Sequence, residues 1–373
     1  MQDMHVLYAH ECTRTFRIEN LTPDDVWEEA QNNSEYRVRV YDSERASVRD
    51  RPLKELVANR VLYRNRGWCK AEVEWSSARS HSEQNRWIDA PEQEPTELLG
   101  KVPMVPEIFA EEMNSAAFTH RSDAEEVKKL QFKVFIQKVS ECEEALFERL
   151  PRGQLGQLAK ALPYFKKLRV LRLLDFKVGR AEAGEFAQAL ARNEAIRELE
   201  IRGLRGFGAE PEMLGHGHEY DYGFLWEAIA EALKTNSTLT SINLEGNRID
   251  EDGGKAIGEA LKSNSTLASI NLGFCNIGEG AQAICEALKT NSTLTSINLE
   301  RNHIGNEGGK AIGKALKTNS TLTSINLESN FIGGEGGKAI AEALRSNSTL
   351  TRIELAYNRI GNKGGKAWLA SER

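Results

Sequence analysis

The sequence predicts an α/β solenoid, with parallel strands inside and helices outside, preceded by a small mixed α/β domain and a helical cap. Three observations carry this. A sentence of the form L-T-S-I-N-L-E-G-N-R-I, an acidic glycine-rich turn and G-K-A-I-x-E-A-L-K-T-N-S-T recurs from Leu239, Leu267, Leu294, Leu322 and Leu350, in steps of 28, 27, 28 and 28 residues. A fixed period of that size marks stacked supersecondary units. Each unit opens on alternation (Ile242, Leu244), the period of a half-buried strand. It closes on Ala256, Ile257, Ala260 and Leu261, an apolar stripe at helical spacing. One unit cannot bury its own apolar face, so stability is shared between neighbours.

Residues 1–90 are read as the small mixed α/β domain. They hold Trp27, Trp68, Trp75 and Trp87, four of the six tryptophans. Val38–Tyr41 alternates as a strand. Pro52–Leu62 reads as a short helix, Gly67 as a turn, and Trp68, Glu72 and Trp75 as one helix. The R-G-W-C-x-x-E core (Arg66, Gly67, Trp68, Cys69, Glu72) resembles a segment that precedes repeats in multidomain proteins of dinoflagellate type. It is also similar to the W-C-x-x-E box of Toll/interleukin-receptor domains. That second resemblance would imply an NAD-consuming enzyme. Its phosphate-side loop and acidic residue belong earlier in such a domain, and the chain starts too late to place them. The structural alternative packs Trp68 and Trp75, buries Cys69 and pairs Glu72 with an arginine. A reactive Cys69 would need an electropositive setting, and Arg64, Arg66 and Lys70 are its neighbours in sequence.

Residues 91–105, with Pro91, Pro95, Pro103 and a glutamate cluster, read as a linker. Residues 106–165 read as the helical cap. One helix starts after Pro106. A long one opens on a capping-box pattern, Ser122 with Glu125, and keeps helical spacing through Val127, Leu130, Val134, Phe135, Val139, Cys142, Leu146 and Leu150. Phe132, Ile136 and Phe147 lie off that stripe, so two of its sides are expected to be buried. The helix is placed to cover the first end of the solenoid, which otherwise exposes core.

The solenoid is read over residues 166–373. Degenerate units start at Leu168 and Ile196, with Phe176 and Leu204 at the place later held by Asn247. The step from Ile196 to Leu239 is 43 residues, so an insertion, 206–223, is expected to project from one rim, where such insertions often line a binding face. Asn247, Cys275, Asn302, Asn330 and Asn358 form the structural ladder. An inward asparagine satisfies turn backbone that water cannot reach, and cysteine fits the slot with a weaker donor. Asn264, after Lys262 and Ser263, reads as a left-handed helix stop. The last unit ends at Leu369-Ala-Ser-Glu-Arg with no polar cap following. This favours a truncated end over one covered by another chain, and leaves an open strand edge near Ile353.

The L-x-x-I-x-L-x-x-N opening resembles leucine-rich repeats of ribonuclease-inhibitor type, over roughly residues 151–373. The same class occurs in NOD-like receptors and in the GTPase-activating protein for Ran. The resemblance implies a fold and leaves function to the site.

Totals narrow the classes. The prior for 373 residues is two or three domains. A net charge of −6 argues against a nucleic-acid partner, whose binders carry a basic face. No run of 18 apolar residues suggests a membrane span, and the first residues lack a signal-peptide core. Five scattered cysteines (Cys12, Cys69, Cys142, Cys275, Cys285) give no disulfide framework or metal spacing, so the reading is cytoplasmic. The N-S-T triplets at Asn236, Asn264, Asn291, Asn319 and Asn347 match the glycosylation pattern, but read as helix stop plus strand entry.

Chemistry is sparse. His216, His218, Glu219 and Asp221 could ligate a metal, yet Gly215 and Gly217 favour a solvated loop, so no metal and no cofactor are assigned. Gly-Gly-Lys at Gly253–Lys255 and Gly308–Lys310 fails as a phosphate loop, because Ile304 stands where a glycine is needed and Ala311 replaces Ser/Thr. No catalytic set is marked out. The concave strand face remains. Asn243, Glu245, Glu300 and Glu328 point off the core, and the stacked glutamates predict an acidic strip. Variation between units falls on Gly246, Phe274, Arg301, Ser329 and Tyr357, and on Arg248, Asn276, His303, Phe331 and Arg359. Exposed aromatics and arginines are favoured at binding hot spots. The expectation is a non-enzymatic interaction scaffold with a protein partner, bound through Asn243, Glu245, Arg248, Phe274, Glu300, Arg301, His303, Glu328, Phe331, Tyr357 and Arg359. The resemblance adds a possible place in signalling or sensing. The alternative it implies is a GTPase activator, whose acidic patch would recognise a basic GTPase surface.

Overall fold

The computed structural model describes residues 15–17, 24–42, 47–55, 66–77, 85–87, 100–116, 123–204 and 222–361. The 206–223 insertion up to Asp221, Ser122 of the capping box and the chain beyond residue 361 lie outside them.

The first elements are β1 (Thr15–Arg17), α1 (Asp24–Asn32), β2 (Arg37–Asp42), β3 (Ser47–Pro52), α2 (Gly67–Ser77) and β4 (Asn85–Trp87). β1 and β4 pair in parallel, and β2 with β3 antiparallel. Pro52 closes β3 instead of opening a helix, and a single 3-10 turn at Leu53–Glu55 follows among the described residues. A proline is tolerated at such an edge because the strand end can spare an N–H. Gly67 begins α2 and is not a turn. Trp75 is buried, with Trp68 edge-on to it at 6.4 Å, while Cys69 is half-buried. Trp68 Nε1 donates to Asp123 Oδ2 at 3.3 Å.

The expected linker is not one at its C-terminal end. Gly100, Val102, Met104 and Val105 are buried. The Val102 N–H donates to Gln154 Oε1 (2.7 Å), and Lys101 pairs with Glu74. Valines and a methionine there have apolar neighbours on both sides, and that burial outweighs the turn signal of Pro103. Next come α3 (Pro106–Ser115) and α4 (Asp123–Glu141). α4 buries two sides. Val127 and Val134 join Ala71, Trp75, Phe109 and Met113 in a small core, while Phe135 and Val139 enter the main one. Phe132, expected on the second buried side, is 53% exposed.

α4 also stops earlier than its stripe predicts. Residues Glu144–Glu148 form β5, the first strand of the solenoid, so the solenoid sheet begins at 144 and the cap is shorter than 106–165. E-A-L-F-E favours a helix by propensity. Pairing with the next strand overrides it, turning Ala145 and Phe147 inward at 1% exposure each.

The remaining chain alternates helix and strand: α5 (Gln154–Ala161), β6 (Val170–Leu174), α6 (Arg180–Ala191), β7 (Glu198–Arg202), α7 (Gly223–Thr235), β8 (Ser241–Asn243), α8 (Asp250–Ser263), β9 (Ser269–Asn271), α9 (Ala281–Leu288), β10 (Ser296–Asn298), α10 (Gly305–Leu316), β11 (Ser324–Asn326), α11 (Gly334–Leu344) and β12 (Arg352–Glu354). The eight strands β5–β12 form one parallel sheet in chain order, with Ser-Ile-Asn in register from β8 to β11. The isoleucines and following leucines, such as Ile242 and Leu244, meet the helices in one continuous core. Gly253, Gly254, Gly308 and Gly309 lie inside the first turns of α8 and α10. Their lysines pair within the helix, Lys255 with Glu251 at 2.8 Å and Lys310 with Glu307 at 2.7 Å. Deeper in the helices, Gly258 and Gly313 allow neighbouring helices to approach. A Cβ on Gly258 would lie 2.5 Å from the Ala283 carbonyl carbon, and one on Gly313 2.6 Å from that of Ala339.

Candidate partner-binding rim

The turn after each strand is held from inside. Asn302, with no exposure, donates from Nδ2 to the Leu272 carbonyl (2.6 Å) and the Glu300 carbonyl (3.1 Å). Its Oδ1 accepts the N–H groups of Cys275 and Ile277 in the preceding unit, both at 3.2 Å. Asn247, Asn330 and Asn358 repeat this, donating to the carbonyls of Ile201, Leu299 and Leu327. Cys275 donates weakly to the Leu244 carbonyl at 3.2 Å, and its own carbonyl takes the Ile249 N–H at 3.1 Å.

A second ladder runs through the N-S-T asparagines. Asn264 is extended (φ −68°, ψ 129°), not left-handed. Its Nδ2 donates to the Leu233 carbonyl of the unit before (2.7 Å), and its Oδ1 accepts from the Thr266 and Leu267 N–H groups. Asn236, Asn291, Asn319 and Asn347 do likewise onto Leu190, Leu261, Leu288 and Leu316. The first four of these five asparagines are buried, so their amides are committed to the fold and unavailable to a glycan. The identical recurrence of the triplet was the available signal for this ladder.

The strand face carries less free acid than its glutamates suggest. Arg172 bridges Glu144 (3.1 Å) and Glu200 (3.5 Å), and Arg202 bridges Glu200 (2.7 Å) and Glu245 (3.1 Å). Asn271 Nδ2 donates to Glu245 Oε2, and Asn326 Nδ2 to Glu300 Oε2. Arg352 holds Glu354. Gly273 interrupts the row. The expected acidic strip is therefore corrected: at Glu245 it is neutralised by Arg202, which the strand register brings across from β7. Asn243 is partly spent on its own turn, accepting the Glu245 N–H at 3.1 Å. Among the described residues Glu328 makes no ion pair; Asn326 Oδ1 accepts its N–H.

The rim at the strand ends collects the variable residues. The residue before each ladder position is left-handed in every unit: Arg149, Asp175, Gly203, Gly246, Phe274, Arg301, Ser329 and Tyr357, with φ from +50° to +79°. Asn276, His303 and Phe331, just after it, are left-handed too. Phe, Arg and Tyr are not residue types that announce this strain. Side chains from adjacent units stack. The Arg301 guanidinium lies 5.0 Å from the Phe274 ring centroid, and that of Arg359 lies 4.7 Å from Phe331. His303 is parallel to Phe331 within 5° at 5.4 Å, and its Nδ1 is 2.9 Å from Asn276 Oδ1. Phe331 is 44% and Tyr357 81% exposed. Arg248 is exposed at the same edge, its backbone carbonyl accepting from Trp226 Nε1 at 3.1 Å.

Other chemistry is quiet. Among the described residues no group of three or more His, Cys, Asp or Glu is placed to hold a metal, and His216, His218, Glu219 and Asp221 lie outside them. Among the same residues no helix is long and apolar enough to cross a membrane. Full burial pushes the Cys285 thiol up to about 12, which leaves it unreactive.

A family model described as TMOD/LMOD Leucine-rich domain matches residues 279–367, and one described as Leucine Rich repeat matches 235–258 and 263–285. No curated protein matches the chain. Among solved structures, similarity extends to "Leiomodin-1 Actin-Binding Site 2 (ABS2)", at 29% identity over 38% of this chain and 83% of that one, with a TM-score of 0.34. The tropomodulin C-terminal domain of Caenorhabditis elegans is 16% identical over 39% of this chain and 90% of its own, with a TM-score of 0.35. The leucine-rich repeat-containing protein LegL7 of Legionella pneumophila is 15% identical over 61% of this chain and 71% of its own, with a TM-score of 0.37. Superpositions this loose transfer no partner.

Proposed function

We propose that this leucine-rich-repeat protein is a non-enzymatic scaffold that binds a protein partner through the rim of its last four described repeats. One observation carries the reading. Phe274, Arg301, Phe331 and Tyr357 occupy left-handed backbone positions, where glycine, as at Gly246, is free of strain. A side chain with a Cβ costs roughly 1 kcal/mol or more in that conformation. These side chains are nevertheless present: Phe274 pairs with Arg301 and Phe331 with Arg359 as partly exposed ring and cation, and Tyr357 stands exposed, the residue types that dominate binding hot spots. Ribonuclease-inhibitor-type repeats, a cytoplasmic location and a place in signalling belong to the same proposal. The strand-then-helix unit of 27–28 residues supports the first, free thiols among the described residues support the second, and signalling rests on the resemblance to NOD-like receptors alone. The GTPase-activator alternative asked for an acidic patch, and the pairing of Glu245 with Arg202 weighs against it.

The test is capture from native lysate by the full chain, beside a Phe274→Ala, Phe331→Ala, Tyr357→Ala triple variant. A protein retained by the wild type and lost by the variant is the expected result. Identical captures would overturn the rim as the binding surface. The matched leiomodin-1 domain is titled an actin-binding site. Purified actin therefore serves as one added bait, and the reading does not depend on it.

A further inference from the structure

Charge on the two neighbouring surfaces is handled oppositely. On the strand face, Glu144, Glu200 and Glu245 are consumed by Arg172 and Arg202. On the rim, the cations are held by rings instead of by carboxylates. Arg359 forms no ion pair among the described residues, and Arg301 reaches Glu300 only at 3.9 Å with its side chain 59% exposed. A guanidinium lying over a ring uses its face for that contact and keeps its in-plane N–H fork for another partner. The fork matches a carboxylate, which it can hold with two parallel hydrogen bonds. Arg301 and Arg359 belong to units whose strands, β10 and β12, are two steps apart in the sheet, roughly 10 Å. Phe331 is stacked on His303 and lies under Arg359, and Tyr357, two residues before Arg359, is exposed.

We infer that the partner segment is an acidic peptide, laid along the rim in extended form, with carboxylates on Arg301 and Arg359 and an apolar side chain against Phe331 and Tyr357. This deepens the proposed function and rests on it. Aromatic rings beside arginines also suit single-stranded nucleic acid. A phosphate at every step would also meet Glu300 and Glu328, whereas a peptide needs carboxylates only at the two arginines.

The experiment selects twelve-residue peptides from a random display library on the full chain. It then measures the winners against Arg301→Glu/Arg359→Glu and Arg301→Lys/Arg359→Lys variants, with a fluorescent oligo-dT as a parallel probe. The expected result is enrichment of Asp and Glu over the unselected library. Affinity should fall about ten-fold or more in the Glu variant and less in the Lys variant, which keeps charge but loses the fork. Both variants replace exposed side chains, and matching circular dichroism melts confirm that they fold. Peptides that need Phe331 and Tyr357 but show no acidic enrichment would overturn this inference and leave the binding rim standing. Winners indifferent to every rim residue would overturn both. Oligo-dT binding lost on Arg301→Glu/Arg359→Glu, with no acidic peptide selected, would overturn it in favour of nucleic acid.

Discussion

Replacing Asn302 tests how the units are joined. Its side chain makes four hydrogen bonds, two donated to carbonyls and two accepted from N–H groups, at 2.6–3.2 Å with no exposure. At about 1 kcal/mol net for each, Asn302→Ala should cost about 4 kcal/mol, with the stranded Cys275 and Ile277 N–H groups as the largest part. Asn302→Cys should cost about half as much, because the chain already shows what a cysteine does in this slot. Cys275 keeps a weak donor, and its own carbonyl takes the Ile249 N–H. Urea unfolding followed by circular dichroism gives the totals. Since repeat arrays can unfold piecewise, amide exchange at Cys275 and Ile277 gives the local answer. A loss below about 1 kcal/mol for Asn302→Ala, or equal damage from the two variants, would refute the ladder as the joint.

Four further outcomes rest on other contacts. Gly258→Ala and Gly313→Ala should each lose about 1–3 kcal/mol in thermal melts, since the new methyl meets the neighbouring helix's backbone. Gly184→Ala, in α6 with nothing within 4 Å of the added atom, should instead gain about 0.5–1 kcal/mol. Burial raises the Asp175 carboxyl above its ordinary 3.8, with Arg149 opposing, so the folded state binds the proton more tightly than the unfolded one. The group's favourable contribution is complete below 3.8 and lost as pH rises through the raised value. The stability of Asp175→Asn relative to wild type should therefore increase over that rise; a constant gap in pH-dependent melts would contradict it. Cys275 and Cys285, both fully buried, should resist a thiol reagent until the chain is unfolded, and rapid modification of the native protein would show the core to be open.

The repeat array was legible because its signal is redundant: five units state the same alternation and the same helical stripe. β5 was not, because E-A-L-F-E continues the spacing of the helix before it and only the edge of β6 makes it a strand. The N-S-T asparagines stand where the sequence puts a helix stop and a strand entry; what it hides is the extended backbone of Asn264 and the reach of its amide into the unit before. A buried amide bonded 31 residues back, as from Asn264 to Leu233, leaves no local pattern beyond its own recurrence. The rim was located through variation between units. Its left-handed backbone was hidden, since Phe, Arg and Tyr are not residues that announce a positive φ. Charge was the least legible part. Glu245 reads as acidic until Arg202, 43 residues upstream, is placed across the sheet.

Apart from Cys275 in the first ladder, the two asparagine ladders make each join between later units chemically the same as the next. Leu233, Leu261, Leu288 and Leu316 receive the same amide from the unit that follows. From β8 to β11 the strands also meet through the same three residues. An extra 28-residue block inserted in frame after Leu239 would create no new kind of contact at either seam. Upstream, Leu150, Phe176 and Leu204 fill the ladder place with hydrocarbon and offer no amide. The molecule thus behaves as a polymer on an initiator: the early units set where stacking starts, and the number of later ones sets how many rim positions exist. Length, and with it the number of side chains a partner can meet, can change by copying without repacking the core.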